Sequence, residues 1–225
     1  MSGGGVSGGE GKHVGQNGAE DGRGGWGAAW GERATVIFHE TPLHGVFLIE
    51  PEKRGDDRGF FARVFCEDEF AAHGLETRFV QANNSLTGRK GTLRGMHFQV
   101  APYAQAKLVR CTAGAIFDAI IDLRPESETF LKFAAMELTQ RNRDALYIPP
   151  GFAHGFQTLV DETEVFYQMT DVFRPELARG LRWNDPLFAI PWPDDDRLIH
   201  ARDAQYPDFK PGLAGRRAST PDSQH

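Results

Sequence analysis

From about residue 36 to residue 211 apolar and polar positions alternate along the chain, mostly with a period of two. The segments 46–49, 60–65, 78–81, 108–111, 116–123, 133–138 and 165–169 are rich in β-branched and aromatic residues. Gly, Pro, Asp or Asn bounds each of them. That pattern predicts strands, because side chains on a pleated backbone point alternately to its two faces. Only 67–72 has a helical pattern, a short piece closed by Gly74. Many short strands in a single domain predict an all-β sandwich or barrel.

The ends read differently. Residues 1–32 hold 13 of the 26 glycines and no Leu, Ile or Phe, too little apolar surface to offset the entropy of ordering. The expected organisation is a disordered Gly-rich tail over 1–34, one domain over 35–210 and a flexible polar tail over 211–225. The 225 residues, 40% hydrophobic with 17 Phe, suffice for a sizeable core. A net charge of -6 argues against a nucleic-acid binder, but local Arg and Lys can still hold an anionic ligand. No run of about 18 apolar residues predicts a membrane span, and no apolar leader is visible at the start. Cys66 and Cys111 each lie in an apolar segment and are expected to be buried free thiols, so the chain is placed in the cytoplasm.

The densest chemistry lies at Arg94-Gly95-Met96-His97-Phe98-Gln99, with Lys107 beyond it. Gly91, His97, Gln99, Lys107 and Gly114 have the spacing of a cupin metal motif in which most of the ligands have been replaced. One imidazole, one amide and one ammonium hold a divalent ion poorly, so no metal is expected. The predicted fold is therefore a cupin-type double-stranded β-helix (jelly roll) with a few short helices. The same groups suit removal of a proton beside a carbonyl, with His97 as base and a cation to take up the enolate charge. Period two puts His97 and Gln99 on one face of their strand.

Other positions are more open. His154, after the stiff Pro149-Pro150-Gly151 turn, is either a locally bonded turn residue or a second polar group in the cavity. Tyr167 is by composition a core residue, yet it is the best candidate for a phenolic proton donor. Arg58 follows a turn and reads as a solvated charge unless several cations converge to clamp a phosphate. No Walker or dinucleotide glycine pattern appears.

Six motifs in order carry a resemblance. They are Asp57-Arg58-Gly59-Phe60-Phe61, Gln81-Ala82-Asn83, Leu93-Arg94-Gly95-Met96-His97-Phe98-Gln99 with Gln105-Ala106-Lys107, Gly151-Phe152-Ala153-His154-Gly155-Phe156, Trp183-Asn184-Asp185-Pro186 and Ile190-Pro191-Trp192-Pro193. Over roughly 36–209 the chain resembles the dTDP-4-dehydrorhamnose 3,5-epimerase family. The resemblance implies that His97 is the base, Asp203 its orienting carboxylate, Tyr167 the acid on the opposite face and Lys107 the enolate stabiliser. It further implies that Arg58, Phe61, Gln81, Asn83, Arg94, His154 and Arg202 contact the nucleotide-diphosphate sugar, with Phe173 stacked on the base. Arg63 and Ala178 stand where the family commonly has Glu, which predicts altered base selectivity. A homodimer with a strand crossing between subunits, and no cofactor, are also implied.

Three other readings share these residues: a single-centre epimerase or one for another nucleotide sugar, a metal-dependent cupin oxygenase, and a non-catalytic sugar-nucleotide binding module.

Overall fold

The computed structural model describes Met1 and residues 35–213. The tail expected over 1–34 and most of that over 211–225 lie outside the described residues. The chain runs through β1 (Val36–Glu40), β2 (Phe47–Pro51), β3 (Arg54–Asp56), β4 (Gly59–Phe61) and α1 (Glu67–Ala72). It continues through β5 (Gln81–Thr87), β6 (Thr92–Gln99), β7 (Lys107–Ala113), β8 (Ala115–Asp122), β9 (Phe133–Thr139) and β10 (Ala145–Ile148). Last come β11 (Phe152–Thr158), β12 (Thr163–Met169), β13 (Ala178–Gly180), β14 (Leu198–Ile199) and α2 (Ala201–Ala204).

Two sheets face each other as expected for a jelly roll. The first has the order β1-β2-β10-β7-β12-β5 and the second β13-β6-β11-β8-β9, with β14 added in parallel to β6. Between them Val109, Ile116, Ile120, Leu146, Phe152 and Val165 form the core. The outer face of each sheet is also covered. On the first sheet Phe70 of α1 packs among Phe38, Phe65 and Tyr147. Glu67, Asp68 and Glu69 in its first turn complement the helix dipole. On the second, Leu181, Phe188, Ile190 and Trp192 pack over Leu93, Met96, Phe98 and Ile121. The Trp183-to-Pro193 motifs are thus a wrap that returns the chain to β6. Trp192 Nε1 donates to the Trp183 carbonyl at 2.8 Å, holding the wrap.

Strands were expected at five places that became β2, β7, β8, β9 and β12. Two expectations are corrected. The strand expected over 60–65 ends at Phe61 and pairs only with β3, in a separate hairpin. The strand expected over 78–81 begins only at Gln81, whose ladder partner is Met169; before it only Val80 N bonds across, to the Met169 carbonyl. β10 and β11 are buried at every position, so no alternation marked them. Cys111 is buried and Cys66 only partly so; both are free. Among the described residues no helix is long and apolar enough to cross a membrane.

Candidate active site

A cavity of about 1080 Å³ lies between the sheets. β5, β7 and β12 of the first sheet and β6 and β11 of the second line it, together with β13, β14 and α2. His97, Lys107, Tyr167 and Asp203 all line it, as do Gln81, Asn83, Arg94, His154, Phe173 and Arg202.

A bulge determines which side chains of β6 enter. Phe156 pairs with Arg94, but His154, two residues earlier, pairs with His97, three residues later. Gly95 and Met96 therefore oppose Gly155 alone, and the extra residue shifts the phase of the strand. Arg94 and His97 come to share a face that strict period two would deny them. The two glycines permit this approach: a β-carbon on Gly95 would lie 2.5 Å from Gly155 Cα.

The candidate base and its carboxylate come from two distant segments. His97 Nε2 stands 2.9 Å from Asp203 Oδ1, an ion-pair distance without a well-aligned hydrogen bond. Asp203 is almost fully buried, and its Oδ2 accepts from Gly95 N at 3.2 Å. Burial pushes the Asp203 carboxyl upward, but the His97 ring, the Gly95 amide and Arg202 outweigh it and hold the group below the usual carboxylate range. Burial lowers the His97 pKa; Asp203 opposes this, while Lys107 and Arg202 reinforce it. The imidazole is therefore neutral at neutral pH. With Nε2 turned to Asp203, Nδ1 is the ring nitrogen left to take a proton.

Lys107 lies in the field of a second carboxylate that the sequence reading overlooked. Asp118 of β8 is fully buried, with Oδ2 2.9 Å from His154 Nε2. Its Oδ1 takes no hydrogen bond. Burial lowers the Lys107 pKa to about 8, with Asp118 pulling it back up. An aspartate inside the apolar run Ile116-Phe117-Asp118-Ala119-Ile120 was the available signal, since buried carboxylates are rare unless paired.

Gln99, the residue in the second histidine position, is spent on backbone. Its Nε2 donates to the Tyr103 and Val172 carbonyls at 2.6 and 3.2 Å, and its Oε1 accepts from Arg174 N at 2.8 Å. Among the described residues no group of three or more His, Cys, Asp or Glu could hold a metal ion.

Tyr167 stands on β12, across the cavity from the strand that carries His97, and is the register partner of Asn83. Arg94, Lys107, Arg179 and Arg202 give the lining four cations against Asp203, so the cavity is locally positive although the chain is acidic. Gln81 Oε1 accepts from Phe173 N at 2.9 Å, which holds the half-exposed Phe173 at the rim. Ala178 lines the cavity as well.

Arg58, Phe61 and Arg63 are not brought to this cavity. Arg58 lies on the β3–β4 turn, paired with Asp56 and largely in solvent. Phe61, on β4, is 46% exposed. Arg63 Nη1 donates to Glu69 Oε1 of α1 at 2.8 Å.

The two shifted groups give the pH profile expected of this site. A base must be neutral, so activity is lost as pH falls through the His97 pKa, below the ordinary imidazole range. An ammonium must be charged, so activity is lost as pH rises through about 8, the Lys107 value. A plot of kcat/KM against pH, which reports the free enzyme, is expected to be a bell with those limbs. A profile flat through pH 9 refutes the role of Lys107.

Known proteins similar to this chain in sequence and fold are numerous. The family profile described as dTDP-4-dehydrorhamnose 3,5-epimerase matches residues 40–211. A protein of that name from Sinorhizobium fredii is 46% identical over 158 residues, 70% of this chain and 81% of the relative. The crystal structure of dTDP-4-dehydrorhamnose 3,5-epimerase from Bacillus anthracis, with TDP and PPi bound, is 39% identical with a TM-score of 0.76. It covers 78% of this chain and all of that one. A Legionella pneumophila dTDP-6-deoxy-D-glucose-3,5-epimerase in complex with dTDP-4-keto-L-rhamnose is 35% identical, with a TM-score of 0.73, over 77% of this chain and 93% of that one. In sequence and fold alike, the chain belongs to the dTDP-4-dehydrorhamnose 3,5-epimerase family of isomerases.

Proposed function

We propose that the protein epimerises C3 and C5 of a nucleotide-linked 4-keto-6-deoxyhexose, converting dTDP-4-dehydro-6-deoxy-D-glucose to dTDP-4-dehydro-L-rhamnose. The observation that carries this reading is the placement of His97 and Tyr167 on opposite sheets of one cavity that also holds Lys107. His97 Nδ1 takes the proton next to the ketone, and the C–H electron pair moves to the C4 oxygen. Lys107 stabilises the resulting enolate by charge and hydrogen bonding. Tyr167 then delivers a proton to the opposite face, which inverts the centre, and solvent restores both groups. Every step uses side chains of this chain. Arg94 and Arg202, flanked by Gln81, Asn83 and His154, are placed to hold the sugar and diphosphate. Phe173 at the rim offers a face for a base.

The test is incubation with dTDP-4-dehydro-6-deoxy-D-glucose in deuterated water, locating deuterium by NMR. Incorporation at both C3 and C5 with formation of the L-sugar is the expected result, at the same rate in chelator. Label at one centre only assigns a single-centre epimerase, and binding without exchange refutes the enzyme. Running the assay with dTDP-, UDP-, CDP- and GDP-linked substrates reads the base selectivity that Ala178 bears on. A dependence of rate on bound metal favours the oxygenase-type reading of the cavity.

We further propose a cytoplasmic homodimer. Phe60 and Phe61 are half-exposed on the β3–β4 hairpin, where Arg58 also points away from its own cavity. A second copy of the chain gives this hairpin a cover and brings Arg58 to the partner's nucleotide. Sedimentation is expected to give twice the chain mass, and Phe60→Asp with Phe61→Asp to give a monomer of low activity. A fully active monomer sinks this proposal.

A further inference from the structure

One aromatic ring in the cavity is left unused by the proposed chemistry. Tyr206 meets His97 edge-on, with ring centroids 5.9 Å apart and planes at 77°. The ring also lies against bare backbone. Gly180 of β13 is the register partner of His97 on β6, and a β-carbon on Gly180 would overlap three carbons of the Tyr206 ring. The ring therefore lies on the one residue that leaves room for it, directly beside the imidazole.

The backbone around Tyr206 is pinned. Arg182 N donates to the Pro207 carbonyl at 2.9 Å, and the Arg182 guanidinium binds both Asp208 oxygens at 2.6 and 2.9 Å. Phe209 N donates to Asp185 Oδ2 at 2.6 Å. Asp203 is three residues before Tyr206, in α2. One short stretch thus delivers both the carboxylate and the ring to His97.

We infer that Tyr206 is a positioning residue for the base: its ring holds the His97 imidazole in one orientation and shields it from water. Small errors in the placement of a catalytic group are costly, and packing is what prevents them. Burial is the largest cause of the lowered His97 pKa, and the ring stands directly beside the imidazole. Facing His97 are Asp203 and Arg202 from α2, Lys107 from β7, His154 from β11 and Arg94 from its own strand. Tyr206 also feels the charges of Arg202 and Asp203, so the variant that keeps the ring, Tyr206→Phe, separates the ring from these groups.

The inference rests on His97 being the base, but its first readout does not require turnover. The His97 imidazole is titrated by NMR in the full chain, its resonance assigned by its loss in His97→Asn. Tyr206→Leu is expected to raise the midpoint towards the ordinary imidazole value. It should lower kcat roughly ten- to hundredfold with KM nearly unchanged. Tyr206→Phe keeps the ring and is expected to restore both. Gly180→Ala, which displaces the ring and leaves Tyr206 in the chain, is expected to move the midpoint in the same direction as Tyr206→Leu. An unmoved midpoint in folded Tyr206→Leu or in Gly180→Ala overturns the inference. So does Tyr206→Phe behaving like Tyr206→Leu, which assigns the effect to the hydroxyl. A shifted midpoint in a protein that fails to turn over the 4-keto sugar upholds the positioning role and refutes the proposed substrate.

Discussion

His97→Asn is expected to reduce epimerisation by about 10²- to 10⁴-fold, the usual range for loss of a general base. That corresponds to about 3–5 kcal/mol of transition-state stabilisation. The amide is close in size to the imidazole but cannot take a proton, so the fold and nucleotide affinity should survive. No neighbour can substitute. Asp203 is buried behind the ring, and His154 is engaged with Asp118. Asp203→Asn is expected to cost activity through a different route. The carboxylate balances the charge that His97 acquires and orients the ring. With an amide there, the imidazole pKa falls further and the protonated intermediate loses its partner. The measurement is deuterium exchange into substrate together with product formation, beside dTDP affinity as a control for folding. Exchange at the wild-type rate in either variant rejects the pairing of His97 with Asp203 as the base.

Tyr167→Phe is expected to separate exchange from inversion. His97 remains intact on β6, so it can remove a proton and return one to the same face. The phenol on β12 is the group positioned to serve the other face. Deuterium should therefore enter recovered substrate while little L-epimer forms. The substitution removes one oxygen from a side chain packed against the inter-sheet core and leaves its ring in place, so stability should change little. Normal epimer yield from Tyr167→Phe means that another donor, or water, serves the second face. Loss of both exchange and inversion means that Tyr167 also orients the sugar.

The alternation of apolar and polar residues made five strands legible, because one buried face and one differently packed face leave a period-two trace. It failed where that condition fails. β10 and β11 are covered on both faces, and β5 presents polar Gln81 and Asn83 to a cavity where an ordinary strand presents core. α2 spans four residues and has no period to read; the side chain of His200 caps it by accepting from Arg202 N.

The candidate site divides in the same way. His97, Gln99 and Lys107 lie close in sequence, so their spacing alone announced a site poor in metal ligands and suited to proton transfer. The carboxylate beside His97 carried no local signal. Asp203 reaches Gly95 across 108 positions, because the C-terminal wrap returns and β14 pairs with β6. The grouping of Arg94 with His97 depends on a bulge at Gly95, and strand periodicity predicts the opposite. Asp118 meets His154 and Tyr206 meets the His97 ring only in the folded chain, contacts that no linear spacing encodes. Arg58, Phe61 and Arg63 adjoin one another in sequence, yet the hairpin and the Glu69 ion pair carry them away from the cavity. Alone, the sequence determined the strand-rich class and the family, and it named the candidate base, since these depend on local pattern and residue identity. Tertiary structure decided which charges meet and which nitrogen is free, because burial and distance set pKa values and reach, and both arise only when remote segments pack together.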